Sequence, residues 1–143
     1  MKAYLAAQYA RRDELRGYKE RLEKVGISVT SRWLEEQEPL NSQMGQHTKE
    51  FYIETATIDL EDVDKADVVI FFSENPLVGV PRGGRHVEFG YALGKNKPIH
   101  VVGPRENIFH YIDKVYHYDD LDKLINSYKD HVGQYMQFED SKI

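Results

Sequence analysis

The sequence predicts an α/β fold, a doubly wound parallel sheet of about five strands with helices on both faces. Short apolar segments alternate along the chain with segments that repeat apolar residues every three or four positions, which is typical of strands joined by crossover helices. The segment Val68–Phe72 is an unbroken apolar run, as in a parallel strand that is covered on both faces. A length of 143 residues fits one domain, residues 1–143, with a sizeable core.

Each element is predicted from a local pattern. The strands are short and apolar or β-branched, and are predicted at 2–6, 27–30, 68–72, 99–102 and 115–118. The helices are amphipathic and are predicted at 11–26, 47–65, about 85–94 and 121–131. Gly26 ends the first helix, as glycine commonly does. Two irregular loops, Trp33–His47 and Ser73–Gly84, interrupt the alternation, and loops as long as the first are usually functional or mobile.

The composition limits the function. The chain has no cysteine, which excludes disulfides, thiolate metal sites and cysteine nucleophiles. A net charge of −5 argues against a nucleic acid polymer or an anionic membrane surface as partner. The segment Met1–Ala10 does not read as a signal peptide, and no apolar stretch approaches the roughly 20 residues that span a bilayer. The histidines form no close ligand pair. We therefore expect a soluble, cytoplasmic protein that acts on a small molecule without a metal or another cofactor.

Three loops are candidate ligand sites, because ligands of parallel sheets bind beyond the carboxyl ends of the strands. They follow Ala6, Phe72 and Val102. The first, Ala7–Arg12, lacks the glycines of a dinucleotide- or phosphate-binding loop. Its two arginines either meet an anion near the helix N-terminus or are solvated.

The segment Pro81–Gly94, in and after the second loop, is the most informative. The paired glycines Gly83 and Gly84 allow a ligand to approach the backbone closely. Glu88 is predicted in the first turn of the following helix, where the helix dipole keeps a carboxylate ionised. An ionised, partly desolvated carboxylate can attack an electron-poor carbon, so Glu88 is a candidate nucleophile. The alternative is that Glu88 only caps the helix.

The segment Gly84–Leu93 resembles the nucleophile motif of the nucleoside 2-deoxyribosyltransferase family, whose superfamily includes 2′-deoxynucleoside 5′-monophosphate N-hydrolases. The likeness covers most of the chain. Lys2–Ala6 resembles the first strand of the family. Residues 58–60, together with 66–70, resemble its stretch of Asp-Leu followed by an Asp and apolar residues. Asn107–Tyr111 resembles a segment that crosses to the neighbouring subunit's site. This resemblance implies a flavodoxin-like enzyme that cleaves the N-glycosidic bond of a 2′-deoxynucleoside or its 5′-monophosphate and transfers the sugar to another base or to water.

The resemblance also implies roles for four residues. Glu88 attacks C1′ and forms a covalent deoxyribosyl intermediate, Asp59 shuttles a proton to the leaving base, and Tyr4 orients Glu88 by a hydrogen bond. Asn107 reaches the 5′ end of the sugar in the adjacent subunit, which requires a homo-oligomer, a dimer or higher. The residues by themselves leave plainer roles open: a solvated carboxylate for Asp59, a core aromatic for Tyr4 and an N-cap for Asn107.

One position departs from the family pattern. The transferases carry an aspartate six residues before the nucleophile, and this chain has Arg82 there. Arginine suits phosphate because its planar group donates two hydrogen bonds at once, so a phosphorylated substrate is favoured. The predicted binding residues of the same segment are Arg82, Gly83, Gly84, Arg85 and His86. The hydrolases' serine- and glycine-rich phosphate loop is not evident after the first strand, so the choice between transferase and hydrolase stays open.

Three side chains and two other functions also stay open. Trp33 either stacks on a base or closes the edge of the core. His110 shares a helical face with Asn107 and so could touch a phosphate across a subunit boundary, whereas Asp62 is expected to be solvated. The alternative functions are a non-catalytic nucleotide-binding sensor and an N-glycosidase that acts on an NAD-like ligand.

Overall fold

A computed structural model describes residues 1–36, 47–75 and 83–141, with the side chains included as far as residue 132. Its sheet has five strands: β1 Lys2–Ala6, β2 Ser28–Val29, β3 Val68–Phe72, β4 Ile99–Val102 and β5 Val115–Tyr118. All neighbouring strands are parallel and their order is β2-β1-β3-β4-β5. The predicted doubly wound, flavodoxin-like fold is therefore confirmed.

Four α-helices cover the sheet within the described ranges: α1 Arg12–Lys24, α2 Lys49–Lys65, α3 Gly84–Gly94 and α4 Leu121–Ser141. Short 3₁₀ turns are formed by Tyr9–Arg11, Arg32–Glu35 and Ile108–Tyr111. An ion pair between Arg21 and Asp122 joins α1 to α4, while α2 packs against α3. The helices thus form two layers with the sheet between them.

The central strand β3 is buried along its whole length, as its apolar run predicts. Phe71 packs edge-on against Phe89 of α3, with ring centroids 5.5 Å apart. Phe72 stacks on Tyr18 of α1 on the other side of the sheet, at 5.3 Å. The two layers of helices are therefore held to the sheet through adjacent residues of one strand.

The prediction of the last helix was too short. A helix was expected over 121–131, and the backbone of α4 continues to Ser141. The apolar periodicity fades in this tail, but no proline follows Leu121 to break the hydrogen-bonded ladder once it has begun.

Candidate active site

A cleft of about 600 Å³ opens beyond the carboxyl end of β1. The strand order reverses between β1 and β3, and such reversals are where doubly wound sheets bind ligands. The loop after β1 and the start of α3 line the cleft, as the sequence predicts, together with the turn 32–35 and one side of α2. The side chains that matter most for its chemistry are Tyr4, Tyr9, Trp33, Glu36, Asp59 and Glu88.

Glu88 lies on α3, directly above the end of β1. Gly83 precedes the helix with φ of +92°, a conformation that side chains other than glycine's rarely adopt. The helix begins at Gly84, one residue earlier than predicted, so Glu88 lies in the second turn rather than the first. The hydroxyl of Tyr4, on β1, donates a hydrogen bond to Oε2 of Glu88. The hydrogen bond that the resemblance implies between these two side chains is therefore present.

The ionisation of Glu88 differs from the prediction. Burial in the cleft is the largest cause of a rise in its pKa from 4.5 to about 8; the hydrogen bond from Tyr4 acts in the opposite direction, and the charge of Asp59 adds to the rise. Burial also raises the pKa of Tyr4 well above 10. The hydroxyl of Tyr4 therefore stays protonated and can donate a hydrogen bond. The expectation that a helix dipole keeps Glu88 ionised was wrong, because the dipole acts mainly within the first turn and desolvation outweighs it here.

Asp59 lies on α2 and faces the same cleft. Its Oδ1 is buried and has no hydrogen-bond partner among the described residues. Burial is the main cause of a rise in the pKa of this carboxyl to about 7; the charges of Glu36 and Asp62 add to it, and that of Arg32 opposes it. Asp59 is therefore not a solvated helix residue, and it can both hold and release a proton near neutral pH.

Asp62, one turn after Asp59, was expected to be solvated, and that prediction was wrong. It is 1% exposed and accepts hydrogen bonds from the backbone and the side chain of Arg32, both at 2.9 Å. This ion pair fixes the turn 32–35 against α2. Trp33 in the same turn is 6% exposed, and its Nε1 donates to the carbonyl of Leu5 at 2.9 Å. Trp33 belongs to the core and also lines the cleft, so its role at the edge of the core is confirmed and its stacking on a base stays a prediction.

The basic residues next to Glu88 supply less positive potential than their types suggest. Arg85 lines the cleft, but its side chain is only 1% exposed and pairs with Glu106. His86 has a lowered pKa because of burial and the charge of Arg85, so its ring is neutral at pH 7. Gly83 and Gly84 border the cleft as predicted. Arg82 lies outside the described residues.

The two arginines of the first loop are engaged within the chain. Arg11 forms ion pairs with Glu14 at 2.7 Å and with Glu74 at 3.0 Å. Arg12 is 6% exposed, donates to the hydroxyl of Tyr9 and has its guanidinium carbon 4.7 Å from the centre of that ring. Neither side chain lines the cleft.

Asn107 and His110 lie away from the cleft of their own chain. Asn107 caps the turn 108–111, and its side chain accepts a hydrogen bond from the backbone of Phe109 at 2.9 Å. His110 is 1% exposed and packs between the rings of Phe71 and Phe89. The predicted contact of Asn107 with a neighbouring subunit's substrate stays a prediction.

Two carboxylates at or near the candidate site were not predicted from the sequence. Glu36 lines the cleft and raises the pKa of Asp59, and Glu106 holds Arg85. The adjacency of Glu106 to Asn107 was a signal, but nothing local identified its partner. In the described ranges, no group of three or more histidine or acidic side chains could hold a metal ion, and no helix is long and apolar enough to cross a membrane.

Comparison with known proteins shows a shared fold. No protein-family model and no curated protein matches the sequence. The structure is similar to a 2-deoxyribosyltransferase of the psychrotolerant bacterium Bacillus psychrosaccharolyticus, with a TM-score of 0.66 and 19% identity over 88% of this chain and 91% of that one. It is also similar to a CMP N-glycosidase of Clostridium botulinum, with a TM-score of 0.56 and 16% identity over 90% of this chain and 98% of that one.

Proposed function

We propose that the protein cleaves the N-glycosidic bond of a 2′-deoxynucleoside or its 5′-monophosphate and transfers the sugar to another base or to water. The observation that carries this proposal is the presence of Tyr4, Asp59 and Glu88 in one cleft, with Tyr4 bonded to Glu88. Two carboxyl groups facing one ligand site are the groups that two-step glycoside chemistry uses. The transferase and the N-glycosidase that share the fold support the same class of bond.

The reaction has two displacement steps at C1′. In the first, an ionised oxygen of Glu88 forms a bond to C1′ while the bond from C1′ to the base nitrogen breaks. The base leaves with that electron pair and takes a proton from the carboxyl group of Asp59. In the second step, an acceptor base or water attacks C1′, Glu88 leaves as a carboxylate, and Asp59 takes a proton from the attacking group. Two inversions give overall retention of configuration.

The electrostatics of the cleft support this division of roles. A carboxyl group with a pKa of about 7 is partly protonated at neutral pH, so Asp59 can act as the general acid, an effect of about 10²–10⁴-fold. Glu88, with a pKa of about 8, must be ionised to attack, and the donor hydroxyl of Tyr4 stabilises that form. The active species is therefore the pair with one proton, held by Asp59. It is the minor of the two one-proton forms, because Glu88 has the higher pKa, and activity peaks between about pH 7 and pH 8.

A 5′-monophosphate is the favoured substrate in this proposal. The cleft is lined by Glu36, Asp59 and Glu88, whose negative charges repel a phosphate, so a phosphorylated substrate needs a cation to offset them. Because Arg85 is paired with Glu106, we keep Arg82, which lies outside the described residues, as the proposed phosphate contact, together with Gly83 and Gly84.

The proposal includes a homo-oligomer in which Asn107 reaches a neighbour's site. The turn that follows Asn107 exposes three large apolar side chains, with Ile108 77%, Phe109 54% and Tyr111 69% exposed. Apolar side chains grouped in this way are typical of interaction surfaces, which supports an oligomer. Sedimentation at working concentration tests it, since an active monomer would remove Asn107 from the site.

A panel assay tests the activity. The parent, Glu88→Gln and the exposed-site control Glu54→Gln are incubated with 2′-deoxynucleosides, ribonucleosides, their 5′-monophosphates and NAD, with and without an acceptor base, and free base is measured by chromatography. We expect base release from a 2′-deoxy substrate by the parent and the control, and none by Glu88→Gln. Equal release by Glu88→Gln contradicts the proposal. Binding without release favours the nucleotide sensor, and nicotinamide release favours the NAD-like substrate.

A further inference from the structure

A buried ion pair joins the first turn of α3 to the loop after β4. The side chain of Arg85 is 1% exposed and that of Glu106 is 8% exposed. Nη2 of Arg85 donates to Oε1 of Glu106, while its Nη1 lies 3.2 Å from Nε2 of His86. The guanidinium carbon lies 5.4 Å from the ring centre of Phe71 on β3. The charge of Arg85 is thus neutralised inside the protein rather than presented to a ligand.

Glu106 connects three separate parts of the chain. Its Oε1 accepts from Arg85 at the start of α3, and its Oε2 accepts from the backbone nitrogen of Glu74, just after β3, at 3.1 Å. Its own backbone nitrogen donates to Nδ1 of the buried His110 at 3.0 Å. The loop after β4, the end of β3 and the first turn of α3 are therefore held together by one carboxylate.

The start of α3 depends on this connection. The residue before the helix is Gly83, which has a left-handed conformation and no side chain to cap the helix. Arg85 is the second residue of the helix, and Glu88 follows it by three positions, about one turn later. The orientation of the first turn of α3 therefore determines the position of the Glu88 carboxylate relative to β1.

We infer that Arg85 and Glu106 are positioning residues, which hold the first turn of α3 so that Glu88 meets the hydroxyl of Tyr4 and faces the cleft. The effect of this pair on the reaction at C1′ rests on the proposed function, whereas its effect on the position of Glu88 does not. A displacement of about 1 Å at a reacting group can lower a rate by about 100-fold, so the pair acts on the reaction without touching the substrate.

The test removes both charges together. A single substitution leaves one buried charge without its partner, which often prevents folding, whereas replacement of both partners is tolerated. The double variant Arg85→Met/Glu106→Gln keeps the net charge and leaves an amide oxygen to accept from the backbone of Glu74. The control is Arg21→Met/Asp122→Asn, which removes an exposed pair between α1 and α4 with the same change in charge.

Two readouts decide the outcome. The first is kcat and KM on the best substrate of the panel. The second is the titration of Glu88 by NMR with ¹³C-labelled glutamate, its signal identified by its loss in Glu88→Gln. Besides burial, Tyr4 and Asp59 shift the pKa of Glu88, and neither Arg85 nor Glu106 is among the causes. A changed titration in the double variant therefore reports a change in the burial or the contacts of the Glu88 carboxylate.

We expect the double variant to lose about 100-fold in kcat with KM within about threefold, and Glu88 to titrate well below 8 as water reaches it. The control variant should match the parent in both. A raised KM with unchanged kcat would overturn the inference and return Arg85 to substrate binding, and an unchanged titration would make the pair purely structural.

Two further results are informative. If the parent shows no turnover, the proposed function fails, while the titration of Glu88 still decides the positioning role. If the double variant does not fold, Glu106→Asp is measured in the same way, since it keeps the charge but shortens the side chain. We then expect about a tenfold loss in kcat, and parent-like values would overturn the inference.

Discussion

The first turn of α3 separates two groups of charged side chains that the fold treats in opposite ways. In the protein interior, Arg85 and Glu106 are buried as an ion pair, and Glu106 also accepts a hydrogen bond from the backbone of Glu74. On the cleft side, Glu88 and Asp59 are partly buried with no cation bonded to either within the described residues, and both have raised pKa values. Each buried charge of the first group has a partner of opposite sign, whereas the two carboxyl groups in the cleft have none in the described ranges. Buried carboxyl groups with raised pKa values are typical of functional sites.

The largest expected effect follows from removing the carboxylate of Glu88. Glu88→Gln keeps the shape of the side chain but cannot attack C1′, so we expect kcat/KM for base release to fall by about 10⁴-fold or more. Release rates from the best substrate of the panel measure this, with Glu54→Gln as the control. Activity within tenfold of the parent would show that Glu88 is not the nucleophile.

Removal of the second carboxyl group has a smaller effect with a distinct pH signature. In the parent, kcat/KM is bell-shaped, rising and falling around the values of about 7 and 8. In Asp59→Asn, the rate falls about 10²–10³-fold and the decline at high pH disappears, because no acid remains to lose its proton. The rising limb then follows the ionisation of Glu88 alone, at a pKa below about 8 because the charge of Asp59 no longer raises it. A persistent alkaline decline, with exposed Asp113→Asn as control, would contradict the role of Asp59.

The same pair predicts how stability depends on pH. The folded protein holds the proton of Glu88 up to about pH 8, whereas the unfolded chain releases it near pH 4.5. The contribution of Glu88 to the free energy of unfolding is therefore fully present below pH 4.5 and is lost as the pH rises to about 8. We expect Glu88→Gln to be more stable than the parent at pH 9 by up to about 5 kcal/mol, with little difference at pH 4.5. Thermal unfolding at both pH values tests this; a pH-independent difference would contradict it.

The smallest expected effect concerns the phosphate. Arg82→Ala should lower kcat/KM for a 2′-deoxynucleoside 5′-monophosphate by about tenfold and leave the free nucleoside unchanged, because a charge-assisted hydrogen bond is lost. Arg21→Ala, on α1, serves as the matched control. An unchanged preference for the monophosphate would remove Arg82 from phosphate binding.

The fold could be predicted from the sequence because its signals are local. Four strands have the predicted bounds, among them Val68–Phe72, since an apolar run between polar residues sets both ends of a buried strand. Gly26 follows α1 with φ of +91°, as a glycine beyond a helix end commonly does. The position of Glu88 near the end of β1 follows from the same alternation of strands and helices.

The state of the charged side chains could not be predicted, because it depends on partners distant in sequence. Arg85 and Glu106 are 21 residues apart, and Asp62 and Arg32 are 30 apart. A residue's type gives its charge but not its partner, so Arg85 was assigned to the ligand and Asp62 to solvent. The raised pKa of Glu88 has the same origin, since burial is set by tertiary packing and outweighs the local helix dipole.

A covalent bond between Glu88 and the sugar distinguishes the proposed two-step reaction from every other function considered, and it can be trapped. The parent is incubated with a slow 2′-fluoro analogue of its substrate, and the protein is digested and analysed by mass spectrometry. We expect one equivalent of base to be released per site and the fluorinated sugar to be attached to Glu88, with no adduct in Glu88→Gln. Repeated release of base with Glu88 unmodified, or an adduct on another residue, would contradict it.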